Sequence, residues 1–167
     1  PEILAPAGGF DSLVAAVRSG ADAVYLGMGS FNARRGASNF GGGEYEKAVD
    51  FCHKRGVNVH LTLNTLVDDS ESAAALDCVE RACLAGTDAV IVQDLGLAAM
   101  IKEAAPELPL HASTQLSVHS VSALPLLKEY GFSRAVLSRE LSRDEIRRFT
   151  EAAAAEGIET EVFVHGA

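Results

Sequence analysis

Several polar side chains stand where apolar runs of this chain stop, and their types suit binding and proton transfer. Asn64 follows the run His60–Leu63, Gln93 and Asp94 follow Ala89–Val92, and Ser113, Thr114 and Gln115 follow Leu110–Ala112. Arg139 and Glu140 follow Ala135–Ser138, and His165 closes Thr160–Val164. Arg34, Asn32 and Asn39 come from a long glycine-rich connection, Gly27–Gly43. Arg34 or Arg139 could clamp a carboxylate or a phosphate through the planar guanidinium fork. Glu140 or His165 could move protons, so Arg139, Glu140 and His165 form the catalytic candidates. Arg34, Asn64, Gln93 and Gln115 are the substrate-binding candidates, the three amides by orienting a ligand through hydrogen bonds. A strand alternates its faces, so only one of Arg139 and Glu140 can point into a pocket, and the other pairs or caps nearby. Asp94 opens a helical pattern and reads as its N-cap.

Other chemistries fail on spacing. His60, His111 and His165 all come from odd-numbered strands, but they lie at different depths. His60 precedes Asn64 by four residues and His111 precedes Gln115 by four, which puts both about 13 Å below the strand ends. They cannot share one ion with His165, so no metal site is expected, and every histidine but His165 reads as structural. There is no HExxH, no GxSxG elbow, no GxGxxG and no GxxxxGK[ST]. Cys52, Cys78 and Cys83 fall on helical stripes as core-facing or half-buried small residues, away from the strand ends.

The elements that must position these residues alternate regularly. Strands are predicted at Ile3–Ala5, Ala23–Leu26, Val57–Leu63, Ala89–Gln93, Leu110–Thr114, Ala135–Ser138 and Thr160–His165. Helical periodicity is predicted near Asp11–Ser19, Glu44–Arg55, Glu71–Ala85, Leu95–Ala105, Val121–Tyr130 and Arg143–Glu156. Gly20, Gly56, Gly86, Gly131 and Gly157 each fall where a helix should end in the left-handed conformation. The fourth helix meets Pro106 and Pro109 instead. Ser142 and Glu145 make a capping box, and Asp11, Ser70 and Ser120 are candidate N-caps. Alternating strands and helices imply a parallel sheet covered by helices. Polar residues at interior strand positions, His60, Thr62, His111 and Ser113, suit the layered inside of a barrel better than a flat sheet. The expected fold is therefore α/β, an incomplete TIM-type (βα)8 barrel with seven strands and six helices. Its active site is built on the strand C-termini. Residues 1–167 read as one catalytic-type, N-terminal barrel domain, cut before its continuation.

Composition bounds the partners. The chain has 167 residues, 48% of them hydrophobic, and a formal net charge of −9. That charge argues against this segment alone gripping a phosphate backbone, so an RNA substrate would be held by other regions. No apolar run has the length of a membrane span and no basic-then-apolar leader occurs, which gives a cytoplasmic expectation and no membrane partner. Unpaired first and seventh strand edges invite association or disorder, so this segment alone is expected to dimerise through the open barrel edges or to be unstable.

A family resemblance runs from end to end. Glu2–Gly8 (EILAPAG), Gly20–Gly27 (GADAVYLG), the ARxxAxNF core of Phe31–Phe40, and Leu63–Leu66 (LNTL) carry its first half. Val90–Gly96 (VIVQDLG), His111–Gln115 (HASTQ), Val136–Leu141 (VLSREL) and Glu161–Ala167 (EVFVHGA) carry its second. Together, in this order, they resemble peptidase family U32, the collagenase-like proteases. In that family the segment resembling EVFVHGA is followed by a cysteine and then by more, and those thiolates look like iron–sulfur ligands. The resemblance thus implies a cluster in the full-length protein and no cofactor within this chain, since Cys52, Cys78 and Cys83 do not match the ligand positions. It implies two activities. One is proteolysis of collagen-like peptides. The other is oxygen-independent hydroxylation, of a tRNA uridine using prephenate, of an rRNA cytidine, or of a ubiquinone precursor. The failed search for a proteolytic constellation favours hydroxylation. A carboxylate donor of the prephenate type would give Arg34 or Arg139 a purpose. The full-length protein is then an enzyme and this segment alone inactive; the alternatives are a true peptidase, a non-catalytic partner-binding barrel, or an unrelated phosphate-binding lyase barrel.

Overall fold

The computed structural model describes residues 1–29, 31–32, 40–41 and 43–165. Seven strands, β1 (Leu4–Pro6), β2 (Ala23–Gly27), β3 (Asn58–Leu63), β4 (Ala89–Val92), β5 (Leu110–Ala112), β6 (Phe132–Val136) and β7 (Glu159–Glu161), form one sheet in chain order. Every neighbouring pair is parallel. Six helices alternate with them: α1 (Phe10–Arg18), α2 (Glu44–His53), α3 (Ser72–Ala85), α4 (Leu95–Ala104), α5 (Leu124–Glu129) and α6 (Arg143–Ala155). Sequential parallel strands linked by helices curl into an incomplete (βα)8 barrel, as the alternation predicts.

The strands bury both faces. Val24, Leu26, Val59, Leu61, Leu63, Val90, Val92 and Ala112 pack with Leu13, Tyr45, Val49, Val79, Leu97, Ile101 and Phe149 of the helices in one apolar core. The other face lines the lumen. The rings of His60 on β3 and His111 on β5 meet edge to face, 4.9 Å between centroids. They touch across the intervening β4, so both project inward. The pairing row through His60 runs to Ala89, and Val90 pairs with Leu110, which puts His60 in register with Pro109. His111 nevertheless meets it from two residues further along. The barrel therefore staggers by one residue per strand, as tilted strands require.

The turns at the N-terminal end of the barrel are built alike. Gly20-Ala21-Asp22-Ala23-Val24 and Gly86-Thr87-Asp88-Ala89-Val90 share one pattern. Both glycines take positive φ, +89° and +85°, which a side chain would oppose. Both aspartates then accept a backbone N–H from the preceding strand segment: Asp22 from Ile3 at 2.8 Å, Asp88 from Val59 at 2.7 Å. His53 Nε2 also lies 2.9 Å from Asp88. Gly56, Gly131 and Gly157 likewise end their helices at positive φ.

Several boundaries differ from expectation, each for a local reason. β6 starts at Phe132 rather than Ala135, because Ser133 and Arg134 are strand residues with polar partners. Ser133 Oγ donates to the Leu110 carbonyl at 3.2 Å, beside an irregularity in the β5–β6 register. β5 stops at Ala112, and Ser113 caps a short 3₁₀ turn, Thr114–Leu116. Pro125 cannot donate within a helix, so Val121–Ala123 form a 3₁₀ turn and α5 begins only at Leu124. β7 ends at Glu161, short of His165. Among the caps, Ser142 and Glu145 bond reciprocally as expected, at 3.4 and 2.8 Å. The N-caps of α1 and α3 are Gly9 and Glu71 instead of Asp11 and Ser70, and Ser120 makes no capping bond. Cys52 is buried and Cys78 half-buried, but Cys83 is exposed. Among the described residues, no helix is long and apolar enough to cross a membrane.

Candidate active site

The residues that follow β6 and β7 line an open cavity of about 380 Å³ at the C-terminal end of these strands. Ser138 and Arg139 come from the connection into α6, Phe163 and His165 from the segment after β7, and Leu141 and Ile146 supply an apolar wall. The Arg139 guanidinium carbon lies 5.5 Å from the Phe163 ring centroid, within cation–π range. One wall of the cavity thus carries a fixed positive charge beside an aromatic face, and an imidazole stands within the same lining.

Glu140 takes another position. It is exposed and accepts the Ser138 hydroxyl, which holds its carboxyl below the usual range. It stays a carboxylate, suited to accept rather than to donate a proton. Arg139 and His165 share the cavity lining; Glu140 does not.

The amide candidates divide between two places. Leu63 pairs with Val92, so Asn64 and Gln93 emerge side by side at the tops of β3 and β4, both half-buried. Gln115 is exposed in the 3₁₀ turn after β5, and its backbone N–H donates to Ser113 Oγ at 3.1 Å. None of the three lines the Arg139 cavity. Arg34 lies outside the described residues, as does Asn39. Asp94 caps α4 through the Leu97 N–H at 2.9 Å, and its other oxygen lies 3.4 Å from the Val67 N–H. It is a structural tie between two rim loops.

Sequence reasoning passed over Ser138, Phe163 and Arg134. Phe163 was findable by alternation, two residues before His165. Arg134 was hidden by the late start assigned to β6. It lies in one pairing row with His111 and Glu159 and bonds Glu2 at 2.8 Å and Glu159 at 2.6 Å, with Glu161 at 3.6 Å.

The cysteines do not fit an iron–sulfur cluster. Cys52 sits on α2 and Cys78 and Cys83 on α3. All three thiols lie above their ordinary value, Cys52 pushed by burial to about 11, whereas cluster ligation needs thiolates. Among the described residues, no group of three His, Cys, Asp or Glu could hold a metal ion.

A one-sheet parallel βα barrel with its candidate site on the strand C-termini defines a TIM-barrel-like protein. The solved U32 peptidase Mk0906 shares the fold, with a TM-score of 0.78 over 96% of this chain and 67% of that one, at 15% identity. Residues 8–167 match the model of peptidase family U32, and the chain belongs to that family. Among curated relatives it is 39% identical to the 23S rRNA 5-hydroxycytidine C2501 synthase of Escherichia coli, over 99% of this chain and 24% of that protein. It is 36% identical to the tRNA hydroxylation protein P1 of Bacillus subtilis, over 100% and 39%. It is 34% identical to a collagenase of Porphyromonas gingivalis, over 99% and 42%. The chain thus spans less than half the length of these relatives.

Proposed function

We propose that the full-length protein hydroxylates an RNA base without molecular oxygen, and that residues 1–167 form the barrel that positions its substrates. The observation that carries this reading is the cavity shared by Arg139, Phe163 and His165. A guanidinium beside an aromatic face suits a small carboxylate donor and a planar base. His165 is the candidate proton carrier, and Asn64, Gln93 and Gln115 hold substrate groups at the rim. The relatives named for rRNA and tRNA hydroxylation support the same substrate class. An iron–sulfur cluster, where present, would supply the redox chemistry from cysteines this sequence does not contain. This segment alone is then inactive, and most of the RNA is held elsewhere in the protein.

The peptidase reading draws on the collagenase relative. Against it, all three thiols are raised above their ordinary value and stay protonated, and the Ser138 hydroxyl donates to a carboxylate rather than to an imidazole. The test is mass spectrometry of rRNA and tRNA from cells lacking the gene, complemented with the full-length protein or its Arg139→Ala variant. Loss of a hydroxylated pyrimidine in the deletion, restored by the full-length protein and reduced at least tenfold with Arg139→Ala, supports the proposal. Unchanged RNA together with gelatin cleavage by the purified protein would overturn it.

A further inference from the structure

Three buried side-chain atoms among the described residues lack a hydrogen-bond partner: His60 Nδ1, His111 Nδ1 and Glu161 Oε2. Buried polar atoms left unpaired cost about 1–3 kcal/mol each, so they are rarely scattered without cause. These three are not scattered. The stagger that brings His111 to His60 also predicts what lies level with them. His111 pairs through Arg134 with Glu159, and two residues further along β7 is Glu161. His60 pairs through Tyr25 with Pro6, and two residues back along β1 is Leu4. Leu4, His60, His111 and Glu161 are therefore one inward layer, four side chains from alternate strands as barrel layers are built.

We propose that this layer binds a single internal water, which accepts a hydrogen bond from the Glu161 carboxyl and donates one to Nδ1 of each histidine. The hydrogen-bond account closes with one molecule. Water offers two donors, which the two imidazole nitrogens need, and an acceptor, which a protonated carboxyl needs. Both rings then carry their proton on Nε2, and the layer is neutral.

The surrounding charges act in both directions, and burial is the largest effect on each group. The groups that face the layer are Arg134 with Glu2 and Glu159, and Asp88 near His60. Arg134 holds Glu2 and Glu159 through Nε and Nη2, and its Nη1 lies 3.6 Å from Glu161 Oε2, beyond hydrogen-bond distance, where its charge lowers Glu161 against the larger effect of burial. Desolvation raises Glu161 and lowers both histidines, His111 to about 3, the directions that favour a neutral acid between neutral bases. His60 and His111 are 97% and 96% buried.

A high-resolution crystal structure of the full-length protein tests this directly, paired with histidine ¹⁵N NMR. The expected result is one water peak within hydrogen-bonding distance of all three atoms. Both rings should show the Nε2–H tautomer and stay neutral across the neutral pH range. Glu161→Gln keeps a donor and should retain the water. A dry layer, a ring flipped so that Nδ1 meets a protein group, a metal ion at the peak, or an Nδ1–H tautomer would each overturn the proposal. The unmodified protein decides the matter even if the variant fails to fold.

Discussion

Arg134 shows how one side chain can organise a barrel interior. Its guanidinium takes Glu2 and Glu159 at hydrogen-bond distance and faces Glu161, while only 13% of its side chain is exposed. Replacing it with Met would leave the Glu2 and Glu159 carboxylates together without their cation. The expected loss is about 1–3 kcal/mol in denaturant unfolding, part of it recovered when Glu2 is also changed to Gln. The histidines set the pH response. His60 and His111 are held below the ordinary 6.5, His111 at about 3, so the unfolded chain takes up protons that the folded one refuses. Their contribution is complete above about 6.5 and drains away as pH falls toward 3. Glu161 works the opposite way: its raised carboxyl favours the fold at low pH and loses that advantage as pH rises above 4.5. With two histidines against one carboxyl, unfolding midpoints should fall on acidification, and His111→Asn should flatten the slope. A midpoint that climbs below pH 6 would contradict this assignment.

Among the elements, the helix-to-strand turns are the most informative. Asp88 accepts from Val59 and contacts His53, whereas Asp22 accepts from Ile3. Asp88→Ala should therefore destabilise by about 1–3 kcal/mol and Asp22→Ala by less, a ranking that thermal melts can check. Ser142→Ala removes one half of the α6 capping box and should cost about 1 kcal/mol. These features were legible beforehand where chemistry repeats: glycines at helix ends, the Ser142–Glu145 spacing, and Asp94 opening α4. The failures share a cause. The start of β6 was hidden because Ser133 and Arg134 look like a loop until their partners on β5, β7 and the N-terminal segment are known. The site was legible only as a set of strand ends. Spacing along the chain placed Arg139 and His165 just after β6 and β7, where they line one cavity, but it could not tell that Glu140 would turn to Ser138. Nor could it show that Asn64 and Gln93 emerge together at a place apart from the Arg139 cavity.

For the whole molecule, β1 and β7 are the outer strands of the described sheet. Ile3 and Val164 stand 62% and 96% exposed beside them. Unpaired strand edges next to apolar side chains favour association, so residues 1–167 produced alone should self-associate in sedimentation experiments. A monodisperse monomer with a high melting temperature would contradict that.

The Glu2–Arg134 ion pair joins residues 132 positions apart. The paired strands, by contrast, are each a few tens of residues from the next. As a ribosome extends the chain, the sheet can grow one strand at a time from near neighbours, while this bond waits until β6 has emerged. An interaction made that late should be weakly formed in the transition state. Breaking it should then speed unfolding and leave the folding rate nearly unchanged, so that this one arginine governs how long the barrel lasts more than how fast it forms.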